Sequence, residues 1–166
     1  FTYVRQKQML GLGYAILTAE PLIGDKPFAV VLADDLCDCD ESGVISQLIE
    51  IHNQYKCSVV AIEEVPMDQT SKYGIIAGNL IDETEDTYRV TDMIEKPEPK
   101  DAPSNMAIIG RYILTPDIFD ILRNTKPSKG GEIQITDALF TQAKQGKVIA
   151  YKFKGNRFDC GDIKGY

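Results

Sequence analysis

Phe28-Ala29-Val30-Val31-Leu32-Ala33-Asp34-Asp35 is an apolar run of strand length that stops at two aspartates. A run without polar alternation suits a central strand covered on both faces, as in an α/β sheet. Downstream, Ile45, Leu48, Ile49, His52 and Tyr55 recur at helical spacing between Val44 and Tyr55, with Ser42 as the expected N-cap. Ser58-Val59-Val60-Ala61-Ile62 then repeats the buried-strand pattern. Strand, amphipathic helix and strand in that order predict a βαβ unit with a right-handed crossover, and so an α/β fold.

Outward from this unit, Thr2-Tyr3-Val4 reads as a strand end, Gly11-Leu12-Gly13 as a turn, and Tyr14 to Ala19 as a short helix ended by Pro21. Tyr73 to Ala77 and Tyr88 to Glu95 are strand-like, separated by the polar turn Asp82-Glu83-Thr84-Glu85-Asp86. Met106 to Leu114 is a further strand, Pro116 opens a helix through Asn124, and Ile135 to Ala143 is a helix ended by Gly146. Val148 to Phe153 and Phe158 are the last strand candidates. With no repeat and no Pro-, Gly- or Ser-rich linker, residues 1–166 are expected to form a single α/β domain. The chain begins without methionine, inside a strand end, and stops at Lys164-Gly165-Tyr166 without a closing element, so it is expected to be part of a longer protein.

At 166 residues and 43% hydrophobic the composition is that of one globular domain. A net charge of -7 argues against a nucleic-acid partner, which needs clustered Lys and Arg, while leaving room for a small anionic ligand. No apolar run approaches the roughly 20 residues of a bilayer span, and Phe1-Thr2-Tyr3-Val4-Arg5 lacks signal-peptide anatomy. The expected setting is therefore soluble and cytoplasmic, with no membrane partner. Cys37, Cys39, Cys57 and Cys160 lack the dense spacing of a disulfide scaffold and are expected to be reduced. Cys37-x-Cys39 has no second cysteine pair for zinc, and His52, the only histidine, reads as a helix-face residue.

Chemistry concentrates at Glu95-Lys96-Pro97. An acceptor of sugar hydroxyl hydrogen bonds stands beside a cation able to hold phosphate, and Pro97 ends the strand that carries them. Strand ends are where α/β sheets bind ligands. Asp34, at the tip of an apolar strand, is placed to ligate Mg²⁺. Within the same acidic cluster, Asp38-x-Asp40-x-Ser42-Gly43 matches the opening of a calcium loop, but the twelfth position is Ile49, and Glu50 comes one residue late. Asp38, Asp40 and Glu41 are better read as favouring the positive end of the following helix. Gly11-Leu12-Gly13 lacks the third glycine of a dinucleotide fingerprint and the Lys-Ser/Thr of a P-loop. Asp159-Cys160-Gly161-Asp162 is open to two readings, a second carboxylate facing Asp34 or a plain turn. Lys152 and Lys154 alternate with Tyr151 and Phe153, facing either solvent or phosphate.

A set of short stretches, in order, resembles the bacterial UTP:glucose-1-phosphate uridylyltransferases within the sugar nucleotidyltransferase family. They are Val4-Arg5-Gln6 with Gly11-Leu12-Gly13, Leu32-Ala33-Asp34-Asp35, Tyr73-Gly74, Glu95-Lys96-Pro97, and Ala102-Pro103-Ser104-Asn105 through Gly110-Arg111-Tyr112. Gly131-Glu132-Ile133-Gln134-Ile135-Thr136-Asp137 and Lys154-Gly155 before Asp159-Cys160-Gly161 continue the match. The resemblance implies a Rossmann-like three-layer fold with a mixed, mostly parallel sheet, incomplete at its N-terminus. It implies Mg-dependent formation of UDP-glucose and pyrophosphate from UTP and glucose 1-phosphate, by a protein that is commonly a homo-oligomer. Carried over by position, Asp34 and Asp159 hold the metal, Gln6 and Gly11 meet the uracil, and Gly74 and Glu95 bind glucose hydroxyls. Lys96 pairs with the sugar phosphate, Lys154 is a second cation, and Ile108 walls the sugar ring. Two departures stand out. The glycine-rich triphosphate loop of the family is absent from this chain, which on this reading is inactive alone, and Leu10 stands where relatives commonly have Lys. The alternatives are another sugar-1-phosphate nucleotidyltransferase, such as a thymidylyltransferase, and a non-catalytic nucleotide-sugar-binding module.

Overall fold

A computed structural model describes residues 1–40, 42–81 and 84–160. Glu41, Asp82, Glu83 and residues 161–166, with Gly161, Asp162 and the terminal Lys164-Gly165-Tyr166 among them, lie outside the described residues. The elements run α1 (Gly11–Thr18), α2 (Glu20–Ile23), β1 (Phe28–Val31), β2 (Asp35–Asp38), α3 (Val44–Tyr55) and β3 (Ser58–Glu64). After a 3-10 turn at Met67–Lys72 come β4 (Gly74–Leu80), β5 (Thr87–Glu95), β6 (Met106–Leu114), α4 (Ile118–Asn124), α5 (Ile135–Ala143), β7 (Val148–Lys152) and β8 (Asn156–Asp159).

The alternation of side chains along β3 makes the structure three-layered. Val60 and Ile62 point into a core shared with Ile16 of α1, Ile118 and Leu122 of α4, and Leu139 of α5. Val59 and Ala61 point the other way, against Val44 and Leu48 of α3. The helical spacing read in the sequence gives α3 its predicted limits, although Gly43, not Ser42, precedes its first turn. The helix ends at Lys56 in the left-handed conformation, where the ring of His52 meets the carbonyl of Cys57 at 2.7 Å.

Among the described residues, six strands form one sheet in the order β1-β6-β3-β7-β5-β4, with the start of β4 also pairing with the start of β6. Two expectations are corrected here. β1 lies at a sheet edge rather than the centre, with Ala29 and Val31 exposed, because β6 is inserted between β1 and β3. The sheet is mixed as expected but its pairing is not mostly parallel. β1, β3, β7 and β4 share a direction, yet β6 and β5 run against them, so β3 with β7 is the one parallel neighbour pair among the described residues.

Smaller corrections have local causes. Thr2-Tyr3-Val4 is exposed and not a strand, having no sheet partner. The first helix begins already at Gly11, and Pro21 sits in the first turn of α2, where its missing N–H costs no helical hydrogen bond. A second sheet, the β2–β8 ribbon, pairs Asp35 with Asp159 and Leu36 with Phe158. It carries the chain from the end of β1 into the cleft described next.

Candidate active site

Glu95 ends β5 directly opposite Gly74, the first residue of β4. The Thr136 hydroxyl, in the first turn of α5, donates to Glu95 Oε2 at 2.5 Å. A Cβ at Gly74 would lie 3.0 Å from Thr136 Oγ1, 3.1 Å from Glu95 Oε2 and 3.3 Å from Ile108 Cδ1, so glycine leaves the room in which these three groups meet. Lys96 follows with φ 47°, a left-handed conformation that costs a non-glycine residue about 1–3 kcal/mol. Its N–H donates to the Tyr73 carbonyl at 2.9 Å, which, with Pro97 following, holds the backbone at the strand end.

Asp34 occupies the turn between β1 and β2, where its carbonyl accepts from the Cys160 N–H at 2.7 Å. The ribbon thus brings Asp34 beside Asp159 at the end of β8. Arg157 lies between the ribbon and the main sheet with its side chain 7% exposed. It is paired with Asp35, with Glu63 of β3 at 2.6 Å and with Asp159 at 3.2 Å. Its guanidinium covers the Tyr73 ring at 5.0 Å, and the Tyr73 hydroxyl donates to Asp159 Oδ2 at 3.1 Å. Burial disfavours the charged guanidinium, but its bonds to Tyr73, Glu63 and Asp35 outweigh that and hold its pKa above the ordinary arginine range. Asp35 also accepts the Gly110 N–H at 2.9 Å, while Arg111 donates to the carbonyls of Leu32 and Gly110.

These groups line one cleft of about 370 Å³ that contains Gly11, Asp34, Gly74, Glu95, Lys96, Ile108 and Asp159. Gln6 is not among the lining residues, but its side-chain amide donates to the Gly11 carbonyl at 3.3 Å. The segment holding Gly11 is docked by paired backbone bonds, Ile133 N–H to Leu10 at 2.7 Å and Gly13 N–H to Ile133 at 2.9 Å. Lys154 lies further off. It lines a separate depression with Asp40 and Glu50, and its backbone is bonded to Gln47, so the predicted second cation is not in the cleft. Lys72 is there instead.

Among the described lining residues, Asp34, Asp35, Glu95, Glu132 and Asp159 outnumber Lys72, Lys96 and Arg157. A cleft with that excess of carboxylate repels a phosphate ligand unless a cation enters with it. Asp34 and Asp159 are hard oxygen donors of the kind Mg²⁺ takes, one or two carboxylates completed by water and substrate phosphate. The residues therefore fit a divalent metal. Tyr112, also lining the cleft, has its pKa pushed above the usual tyrosine range by burial and then by the charges of Glu95, Asp35 and Asp34, so it remains a phenol and a donor.

Sequence reasoning missed the roles of Asp35, Glu63, Tyr73, Arg157, Thr136 and Lys72. A signal existed for Arg157: two residues before Asp159 in a strand, it shares that residue's face. Thr136 falls in a stretch matched by resemblance, but nothing local points to Glu95, since α5 and β5 meet only in the folded chain.

A profile of the nucleotidyl transferase family matches residues 1–166. The chain belongs to that family. Nucleotidyl transferases generally use a divalent metal ion. This member is 62% identical, over its whole length, to a UTP–glucose-1-phosphate uridylyltransferase of Pseudomonas aeruginosa, of which it covers 59%. Among solved structures, it matches a UDP-glucose pyrophosphorylase complexed with UDP-glucose with a TM-score of 0.95 and 59% identity, covering all of this chain and 63% of the other. A UTP-bound enzyme of the same name from Acinetobacter baumannii matches at 0.85 with 35% identity, over 98% of this chain and 56% of the other. The chain thus spans somewhat under two thirds of the length of these relatives. No helix among the described residues is long and apolar enough to cross a membrane.

Proposed function

We propose that the protein is a UTP:glucose-1-phosphate uridylyltransferase, and that residues 1–166 form one domain supplying its sugar-phosphate half and part of its nucleotide site. The observation that carries this reading is the sharing of one cleft by Glu95 and Lys96, at the end of β5, with Asp34 and Asp159, at the ends of the β2–β8 ribbon. A hydroxyl-accepting carboxylate and a phosphate-binding ammonium thereby face a pair of metal-binding carboxylates.

In the reaction, a phosphate oxygen of glucose 1-phosphate forms a bond to the α-phosphorus of UTP, and the bond between the α- and β-phosphates breaks. The electron pair leaves with pyrophosphate. The attacking phosphate is already anionic, so the protein aligns the partners and offsets charge rather than removing a proton. Glu95, oriented by Thr136, accepts hydrogen bonds from the sugar, Ile108 walls the ring, and Gly74 leaves space for it. Lys96 holds the sugar phosphate in line. Gln6 and Gly11 meet the uracil edge. Mg²⁺ held by Asp34 and Asp159 would supply the charge compensation that the acidic cleft lacks. Lys154 has no part in this reading, because it lines a separate depression with Asp40 and Glu50, whereas Gln6 is bonded to Gly11 of the cleft. The setting is the cytoplasm, where nucleoside triphosphates are made and thiols stay reduced.

Pyrophosphate release by the full-length protein from UTP, glucose 1-phosphate and Mg²⁺ tests this. Turnover is expected with uridine in preference to thymidine triphosphate, and Lys96→Met is expected to lower kcat by about 100-fold or more, the loss typical of one preorganised charge-stabilising donor. Preference for thymidine triphosphate would reassign the base. Metal-independent binding of UDP-glucose without turnover would make the protein a binding module.

A further inference from the structure

The β2–β8 ribbon has little core of its own. β8 pairs with β2, Leu36 and Phe158 face each other across the ribbon about half exposed, and Asp159 stands at its end. Arg157 ties that end to the main sheet. Its Nε donates to Asp35, whose other oxygen is bonded to the Gly110 N–H of β6, and Nη1 donates to Glu63 of β3 at 2.6 Å. Nη2 then reaches Asp159 Oδ2 at 3.2 Å, the oxygen that also receives the Tyr73 hydroxyl at 3.1 Å. All three nitrogens of one planar guanidinium are thus used at once, a geometry an ammonium cannot reproduce.

We propose that Arg157 is the positioning residue of the metal site: anchored on β3 and β6, it sets the orientation in which the Asp159 carboxylate is presented beside Asp34. This rests on the assignment of Asp159 as a metal ligand above. With its donors turned to Asp35, Glu63 and Asp159, Arg157 acts on the ligand rather than on a substrate phosphate. A rival effect has the opposite sign. If Arg157 mainly competed with the metal for the charge of Asp159, its loss would tighten metal binding. Outer partners of ligating carboxylates typically support the site, and their loss weakens it.

The test uses the full-length protein with UTP. Mn²⁺ binding is measured by electron paramagnetic resonance, alongside the Mg²⁺ dependence of pyrophosphate release. Arg157→Lys is expected to weaken Mn²⁺ binding by about 10-fold or more. High Mg²⁺ should restore much of kcat, and KM for glucose 1-phosphate should be unchanged. Tyr73→Phe, which removes one bond to Asp159 and one from Arg157 but leaves the ion pairs, should weaken Mn²⁺ binding in the same direction by less. It keeps the test open if Arg157→Lys does not fold. Unchanged or tighter Mn²⁺ binding in a folded variant overturns the proposal, as does a loss of kcat that Mg²⁺ does not restore. Asp159→Asn separates the two levels: if it leaves Mn²⁺ affinity unchanged, the metal assignment itself falls, and this inference falls with it.

Discussion

Tyr112 shows what a single side chain owes to its surroundings. Burial, then the charges of Glu95, Asp35 and Asp34, push its pKa above the usual tyrosine range. Above about pH 10 the unfolded chain therefore ionises this phenol while the folded chain does not. Proton release then favours unfolding, so stability falls as pH rises beyond that point. Urea melts across the alkaline range should show the fall, and Tyr112→Phe should flatten it. Glu95 and Lys96 stood out in the sequence as candidates because their chemistry is carried by adjacent residues, and both line the cleft. The positive φ of Lys96 was not legible, since it goes with a hydrogen bond to Tyr73, a residue distant in the chain.

At the scale of elements, helical periodicity located α3 and α5 well, because each shows one apolar face to the sheet. The apolar run of β1 misled. Strand length and hydrophobicity do not say which strand sits beside which, and that was decided by β6. Gly110 shows how closely β6 meets the turn after β1. A Cβ there would lie 2.5 Å from Asp35 Oδ2 and 2.7 Å from Leu32 Cβ. Gly110→Ala is accordingly expected to destabilise the fold by about 1–3 kcal/mol, the usual cost of overpacking. Thermal unfolding measures this, and an unchanged Tm would show that the β2–β8 ribbon yields without cost.

Taken whole, the molecule leaves β1 along an open edge of its main sheet among the described residues. β1 pairs with β6 alone, and Val31 on it is 55% exposed. An apolar edge of this kind invites pairing with another copy, so the 166-residue chain is expected to self-associate. Val31→Lys should reduce that association in light-scattering chromatography while changing stability by no more than about 0.5 kcal/mol, because the position is solvent-facing. Equal association in the variant would move the contact to another surface.

By itself the sequence determined the α/β class, most helix and strand positions, and the residue types of the candidate site. Those follow from periodicity and from chemistry carried by neighbouring residues. The tertiary structure alone decided the edge position of β1, the antiparallel insertion of β6, the exclusion of Lys154 from the cleft and the linkage of Asp35, Glu63 and Asp159 through Arg157. Each of these depends on contacts between segments distant in the chain, and local sequence carries no term for such contacts until the strands have chosen their neighbours.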